Sequence, residues 1–364
     1  MATEKIVGID PIIINKYRLN AKLQSVKITF AEQSRIYMKN KFRIISIFLA
    51  VIMTMLFATL SACKPTEEPQ SKPSLDSTDH TKIFLYAEGN VPYDDDNDCR
   101  DYCFVTPYLA SEPTGGAVVV FPGGGYNHLS NATDKGGADN DGDQKESSSI
   151  AEWYNASGIS VFVVNYRTTA VDKSVCYKHI LSDATRAVKV VRANASKYYI
   201  DENKIAVQGY SAGGHLASVL LTKGGFVVDD PNYVTDKIDA VSAEVNAAVL
   251  CYSVISLQSD LTHKGTSKVF SGGDENIKTE YSSNLNVTPD TAPCFLWCHQ
   301  NDGTVKSQNT REMASVLENN GVLCEMHVFD DNGTSDHGVG VAQKYDEAKQ
   351  WPSLATTFLK NLGF

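Results

Sequence analysis

The chain has 364 residues, 42% hydrophobic and 21% charged, which is enough apolar content for a globular core and length for one large α/β domain or two ordinary ones. Its net charge of −10 is uneven: residues 1–62 carry nine Lys/Arg against three Asp/Glu, so the remainder holds −16. So acidic a body repels phosphates and excludes nucleic acid as a partner; a neutral substrate suits it better.

The basic front has a definite order. In "MKNKFRIISIFLAVIMTMLFATLSAC", Lys39, Lys41 and Arg43 follow Met38, an uncharged run covers Ile44 to Ala58, and small residues lead to Cys63. That is the order of a secretory signal. Leu60-Ser61-Ala62-Cys63 resembles the lipobox of bacterial lipoproteins. The resemblance implies a signal peptide over 38–62, with Cys63 lipidated as the mature N-terminus. The alternative is an uncleaved membrane anchor. Either way the body is expected outside the cytoplasm, held to a bacterial membrane or cell surface. Residues 1–37 are too long and polar a preface for a signal peptide, so translation is expected to start at Met38 and 1–37 to be a non-native extension. Residues 63–81 are rich in Pro, Ser, Thr and charge and read as a flexible tether.

From Lys82 to Phe364 strands alternate with helices. "KIFLYA", "CFVTPYLA", "GAVVVF", "ISVFVVNYR", "KIAVQG", "NAAVLCY", "CFLWCH" and "VLCEMHVF" are the strand candidates. The central ones are continuous apolar runs, as in strands buried on both faces. Leu181, Ala184, Val188, Val191, Ala195 and Tyr198 recur at helical spacing, which predicts a helix within 178–200. Further helices are expected over 307–320, capped by Gly321, and over 341–361. Such alternation predicts a mostly parallel sheet with helices on both faces. Beyond Cys63, seven cysteines remain, an odd number, and Cys99 and Cys103 in "DCRDYC" are the expected loop disulfide. No cysteine spacing suggests zinc.

"VQGYSAGGHLAS", residues 207–218, crowds small residues around Ser211. Gly209-Tyr210-Ser211-Ala212-Gly213 fits G-x-S-x-G, set between a buried strand and a helix start. In a nucleophile elbow the serine occupies a strained turn, and side chains two residues away would collide with strand or helix. A serine needs a base and an orienting acid, which in this class follow in the order Ser, acid, His, each in a loop after a later strand. Asp302 in "CHQNDGTV" and His337 in "DDNGTSDHGVG" fall in such loops. The competitors fit less well. His327 lies inside a strand and is expected to face solvent; His215 and His299 sit in the wrong places for the base. Asp330, Asp331 and Asp336 crowd His337 too closely to orient it. "VVVFPGGGYNHLS" ends a strand with Gly123, Gly124 and Gly125; Gly124 and Gly125, with the N–H of Ala212, are the expected oxyanion donors. A P-loop is excluded because its Lys and Ser/Thr are absent.

"PGGGY", "YR", "GYSAGGHLA", the Asp of "NDGTV" and the His of "DHG" occur in this order in α/β-hydrolases, and the chain resembles bacterial acetylxylan-esterase-like carbohydrate esterases over nearly all of 82–364. The stretch from Lys82 to Gly123 shows no amphipathic helix and the candidate insertion 222–244 is polar, so no large cap domain is expected. The resemblance implies an α/β-hydrolase fold. It also implies hydrolysis of small acyl esters, acetyl or sometimes feruloyl, on xylan or related plant polysaccharides, through an acyl-enzyme and with no metal or organic cofactor. Two alternatives share the elbow: a serine peptidase of the prolyl oligopeptidase type, and an inactive hydrolase fold serving as a surface binding module. The acidic "DKGGADNDGDQKESS" (134–148) departs from many relatives. It lacks the glycine and terminal glutamate of a calcium loop and is expected to be solvated, near the site mouth.

Overall fold

The apolar runs form one eight-stranded sheet: β1 (Ile83–Phe84), β2 (Phe104–Tyr108), β3 (Ala117–Phe121), β4 (Ser160–Asn165), β5 (Ile205–Tyr210), β6 (Ala247–Cys251), β7 (Cys294–His299) and β8 (Cys324–Phe329). Their spatial order is β1-β2-β4-β3-β5-β6-β7-β8. From β4 to β8 every neighbour pair is parallel, while β1 and β2 add an antiparallel edge. The computed structural model describes residues 75–94, 99–130, 146, 149–258 and 260–364, all within the unit Pro73–Phe364. The expected extension 1–37, signal peptide 38–62, lipidated Cys63 and most of the acidic insert lie outside the described residues.

Among the described residues seven α-helices accompany the strands: α1 (Ser149–Asn155), α2 (Tyr177–Ala193), α3 (Ser211–Lys223), α4 (Lys264–Ser271), α5 (Glu275–Glu280), α6 (Gln308–Asn319) and α7 (Trp351–Asn361). The sheet is covered on both faces, and the period of two along β3 shows how. Val119 and Phe121 face a core completed by Ile180 of α2, Leu216 of α3 and Met313 of α6. Val118 and Val120 face a second core with Tyr154 of α1 and Trp351 of α7. Each fully buried Val, Leu, Ile or Phe contributes about 1.5–3 kcal/mol, an upper figure because the unfolded chain is itself partly collapsed. Continuous apolar strands are therefore required, and every residue of β3, β5, β6 and β7 is buried.

Several expectations need correction. Cys99 and Cys103 are both free and buried; the Cys103 thiol donates to the Cys99 carbonyl at 3.3 Å and to Asp183 at 3.7 Å, which replaces the disulfide. The last helix begins at Trp351, not 341, because positive φ at Gly338, Gly340 and Ala342 keeps that stretch a loop. Val339, Val341 and Tyr345 nevertheless pack into the second core. The tether's end is not free: Leu75 packs on the first core and His80 Nδ1 lies 2.8 Å from the Pro107 carbonyl. His327 is half-buried rather than turned to solvent, stacked on Phe329 and paired with Glu325 at 2.7 Å. Helices α1, α4 and α5 were not expected.

Candidate active site

Ser211 ends β5 and starts α3 with φ +53, a left-handed backbone unusual outside glycine. The missing side chains around it are explained by contact. A Cβ on Gly209 would sit 2.1 Å from the Gly213 carbonyl oxygen, and one on Gly213 would sit 2.1 Å from that of Phe121. A Cβ on Gly214 would lie 1.9 Å from Ser253 Oγ. Helix, strand and the loop after β6 thus converge on the turn, and Val254 N–H donates to the Ser211 carbonyl at 3.1 Å.

Three of the expected residues come together. His337 Nε2 is 2.8 Å from Ser211 Oγ, and His337 Nδ1 is 2.7 Å from Asp302 Oδ2. A carboxylate can only accept, so Nδ1 carries the proton and Nε2 is left to accept the Ser211 hydroxyl hydrogen. The other oxygen, Asp302 Oδ1, accepts from Thr304 N–H and Val305 N–H, each at 2.8 Å, which locks the carboxylate's rotation. Ser211, Asp302 and His337 follow β5, β7 and β8, all at the carboxyl edge of the parallel strands. Gly303 N–H donates to the Ser335 carbonyl at 2.9 Å and ties the acid loop to the base loop.

The oxyanion candidates lie beside the serine. Gly124 has φ +117 and Gly125 φ +64, and among the described residues the N–H groups of Gly124, Gly125 and Ala212 enter no backbone hydrogen bond. A Cβ on Gly124 would fall 2.1 Å from the His128 carbonyl oxygen, so only glycine fits. Tyr166 Oη donates to the Pro122 carbonyl at 2.6 Å, bracing the loop. Its neighbour Arg167 clamps the buried Asp183 of α2, at 2.9 Å through Nε and 2.7 Å through a terminal nitrogen.

The competing histidines are committed elsewhere. His215 is buried between Tyr126 Oη and the Tyr281 carbonyl, each at 2.8 Å, and burial pushes it down to about 4, so it stays neutral. His299 lies 3.2 Å from Asp331, whose carboxylate also accepts from the Glu347 and Ala348 N–H groups. Three residues near the site had not been expected. His263 caps α4, and a Cβ on Gly125 would be 3.7 Å from its Cε1; burial, then His337, lowers its pKa. Tyr252 sets its ring 4.9 Å from that of His337. Glu146, within the supposedly solvated insert, is buried and accepts from Gly123 N–H at 2.9 Å.

Among the described residues no cluster of three His, Cys, Asp or Glu side chains is placed to hold a metal. Two clefts, about 630 Å³ beside Trp153 and Lys360 and about 710 Å³ beside Tyr93 and Lys178, do not include Ser211.

Residues 114–317 match the BD-FAE family, more than half of the chain. The chain belongs to the BD-FAE family. The matched segment includes Ser211 and Asp302 and ends before His337. An acetyl ester-xyloside bifunctional hydrolase from Caldicellulosiruptor lactoaceticus is similar at 32% identity and TM-score 0.67, covering 78% of this chain and 97% of that one. The architecture is the α/β-hydrolase fold. An acetylxylan esterase of Xylanibacter ruminicola is 29% identical over 252 residues, 68% of this chain and 45% of that protein. Endo-1,4-beta-xylanase B of Butyrivibrio fibrisolvens is 32% identical over 195 residues, 52% of this chain and 29% of that protein. This BD-FAE chain therefore spans less than half the length of these two curated relatives.

Proposed function

We propose that this chain is a serine carboxylester hydrolase that removes acetyl or similar small acyl groups from xylan or a related plant polysaccharide. The observation that carries the reading is the continuous hydrogen-bonded line from Ser211 Oγ through His337 to Asp302 on a strained elbow. In the acylation step the Ser211 oxygen bonds to the ester carbonyl carbon while its proton passes to His337 Nε2. The negative charge on the carbonyl oxygen is met by the N–H groups of Gly124, Gly125 and Ala212. Collapse expels the sugar alkoxide, which takes the proton from His337; water then repeats the sequence and frees the acid. Support for the substrate class comes from relatives described as an acetylxylan esterase and an acetyl ester-xyloside hydrolase.

The experiment is acetate release from acetylated xylo-oligosaccharides, together with kcat/KM on p-nitrophenyl acetate and octanoate. Wild type should release acetate and prefer the short ester, and Ser211→Ala should keep its fold and lose hydrolysis. Alanine-variant turnover at the wild-type rate would overturn the elbow assignment, and a preference for octanoate would overturn the small-acyl reading. As part of the same reading, Cys63 carries a lipid anchor that holds the enzyme outside the cytoplasm. Mass spectrometry of the membrane-extracted protein should find an N-terminal Cys63 carrying lipid; an N-terminus upstream of residue 63 would refute the anchor.

A further inference from the structure

Glu146 is a carboxylate with 2% exposure, set behind the reacting groups. Its Oε2 accepts from Gly123 N–H at 2.9 Å, and its Oε1 accepts from Tyr252 Oη at 2.8 Å. Tyr252 Oη accepts in turn from Gly340 N–H at 3.1 Å, which ties the tyrosine to the loop after His337 as well as to the glutamate. A Cβ on Gly338, next to His337, would lie 3.6 Å from Oε1, and one on Gly123 would lie 2.6 Å from Oε2 and 3.1 Å from Ser211 Cβ. One side chain thus touches the oxyanion loop, the loop after β6 and the loop carrying His337. Structural duty alone asks only for hydrogen bonds; an unpaired negative charge is a costly way to supply them.

We propose that Glu146 is a positioning residue of the esterase site, fixing the oxyanion loop against the loop of His337 and, as an anion beside that loop, favouring the imidazolium that forms when Ser211 attacks. The inference rests on the serine-esterase reading. Both carboxylate oxygens only accept in this arrangement, as the ionised form requires. Burial raises the carboxyl above its ordinary value, and His337 first, then Tyr252, Gly123 and Ser130, oppose that rise without cancelling it. The other titratable groups facing it are Tyr252, Tyr210, Tyr166 and Cys251, all pushed up by burial and therefore neutral. His337 is bonded to Asp302 and lies within electrostatic reach of Glu146 and His263.

The test uses the full chain with p-nitrophenyl acetate, comparing wild type, Glu146→Gln and Glu146→Asp across pH. Glu146→Gln keeps the size but loses the charge and sets an amide against Gly123 N–H or the Tyr252 hydroxyl. Its kcat should fall about tenfold to a hundredfold with KM little changed, since the loss falls on the transition state. Without the anion the imidazolium is less favoured, so the acidic limb of kcat/KM should move down by roughly half a pH unit. Glu146→Asp keeps the charge on a shorter stem: kcat should fall while the limb stays near wild type, a readout that survives if the glutamine variant folds poorly. An unmoved limb in Glu146→Gln overturns the proposal, as does the same displacement in both variants. A wild type without esterase activity would overturn the serine-esterase reading and this inference with it, whereas an active wild type beside an unaltered Glu146→Gln overturns this inference alone.

Discussion

Replacing Asp302 with Asn tests the orienting acid most sharply, because the structure dictates how the amide must lie. Asp302 Oδ1 accepts two backbone N–H groups at 2.8 Å, while Oδ2 faces His337 Nδ1 at 2.7 Å. An amide has one acceptor end. Turning its NH₂ toward Thr304 and Val305 would strip two backbone donors of their acceptor, at about 1–3 kcal/mol each. Turning the NH₂ toward His337 keeps those bonds and only requires the imidazole to move its proton to Nε2. The second arrangement wins, and it leaves Nε2–H pointing at Ser211 Oγ with no lone pair to receive a proton. The wrong tautomer should lower kcat by about four orders of magnitude, or about 5.5 kcal/mol in barrier. Stopped or long-time assays on p-nitrophenyl acetate, with active sites counted by a serine-directed fluorophosphonate in wild type, give the ratio. A loss under tenfold would refute the reasoning, because the two nearest carboxylates of the base loop are committed elsewhere. Asp331 is held by the N–H groups of Glu347 and Ala348, and Asp336 accepts from Tyr345 Oη at 2.5 Å.

Two further predictions concern stability. His215 has a folded value of about 4 against an ordinary 6.5, so the unfolded chain takes up the proton first as pH falls. Its contribution is therefore intact above about 6.5 and lost progressively down to about 4, amounting to roughly 3 kcal/mol; urea midpoints measured across that window should fall with acid, and His215→Phe should flatten that fall. An unchanged slope in the variant would contradict the burial argument. Gly213→Ala should cost the protein its fold or most of its soluble yield, since its Cβ would meet the Phe121 and Pro122 carbonyl oxygens at 2.1 and 2.4 Å. Gly224→Ala, with nothing within 4 Å and only its φ of +71 to strain, should cost about 1 kcal/mol; equal melting points for the two variants would remove the steric account.

What could be read from the residues alone follows from how local the cause is. Strands β3 to β7 are legible because a strand covered on both faces has to be apolar throughout, and the elbow because its glycines are demanded by atoms a few residues away. The loops that deliver Asp302 and His337 are legible as the segments after two such strands. Pairings at long range are not. Glu146 reads as one more acidic residue in a polar insert because its acceptor role depends on Gly123, 23 positions away, and on Tyr252, 106 positions away. Cys99 and Cys103 look like a disulfide until Asp183, 80 positions on, is seen to take the Cys103 thiol. Helices α4 and α5 have no apolar stripe to announce them: α5 buries no residue, and Phe270 is the one large side chain that α4 puts into the core. The stretch 339–345 errs the other way, with apolar residues at helical spacing but glycines at 338 and 340 that hold it open as the base loop.

These long-range contacts also explain why the strained serine turn persists. Positive φ at Ser211 is matched by positive φ at Tyr252, +53 and +37, on the two loops that meet there. Val254 N–H holds the Ser211 carbonyl at 3.1 Å, and Ser253 Oγ occupies the space that a side chain on Gly214 would need. Two positions earlier on the same loop's entry, Cys251 closes β6 in register with Tyr210 of β5, so the loop leaves the sheet at a fixed height beside the elbow. Tyr252 then carries that constraint to Glu146, and Glu146 carries it to Gly123. Strain at one residue is tolerable because backbone and side-chain bonds from neighbouring loops over-determine it. Loosening any one of these bonds should therefore be felt in the distance from Ser211 Oγ to the N–H groups of Gly124 and Gly125 before it is felt in overall stability.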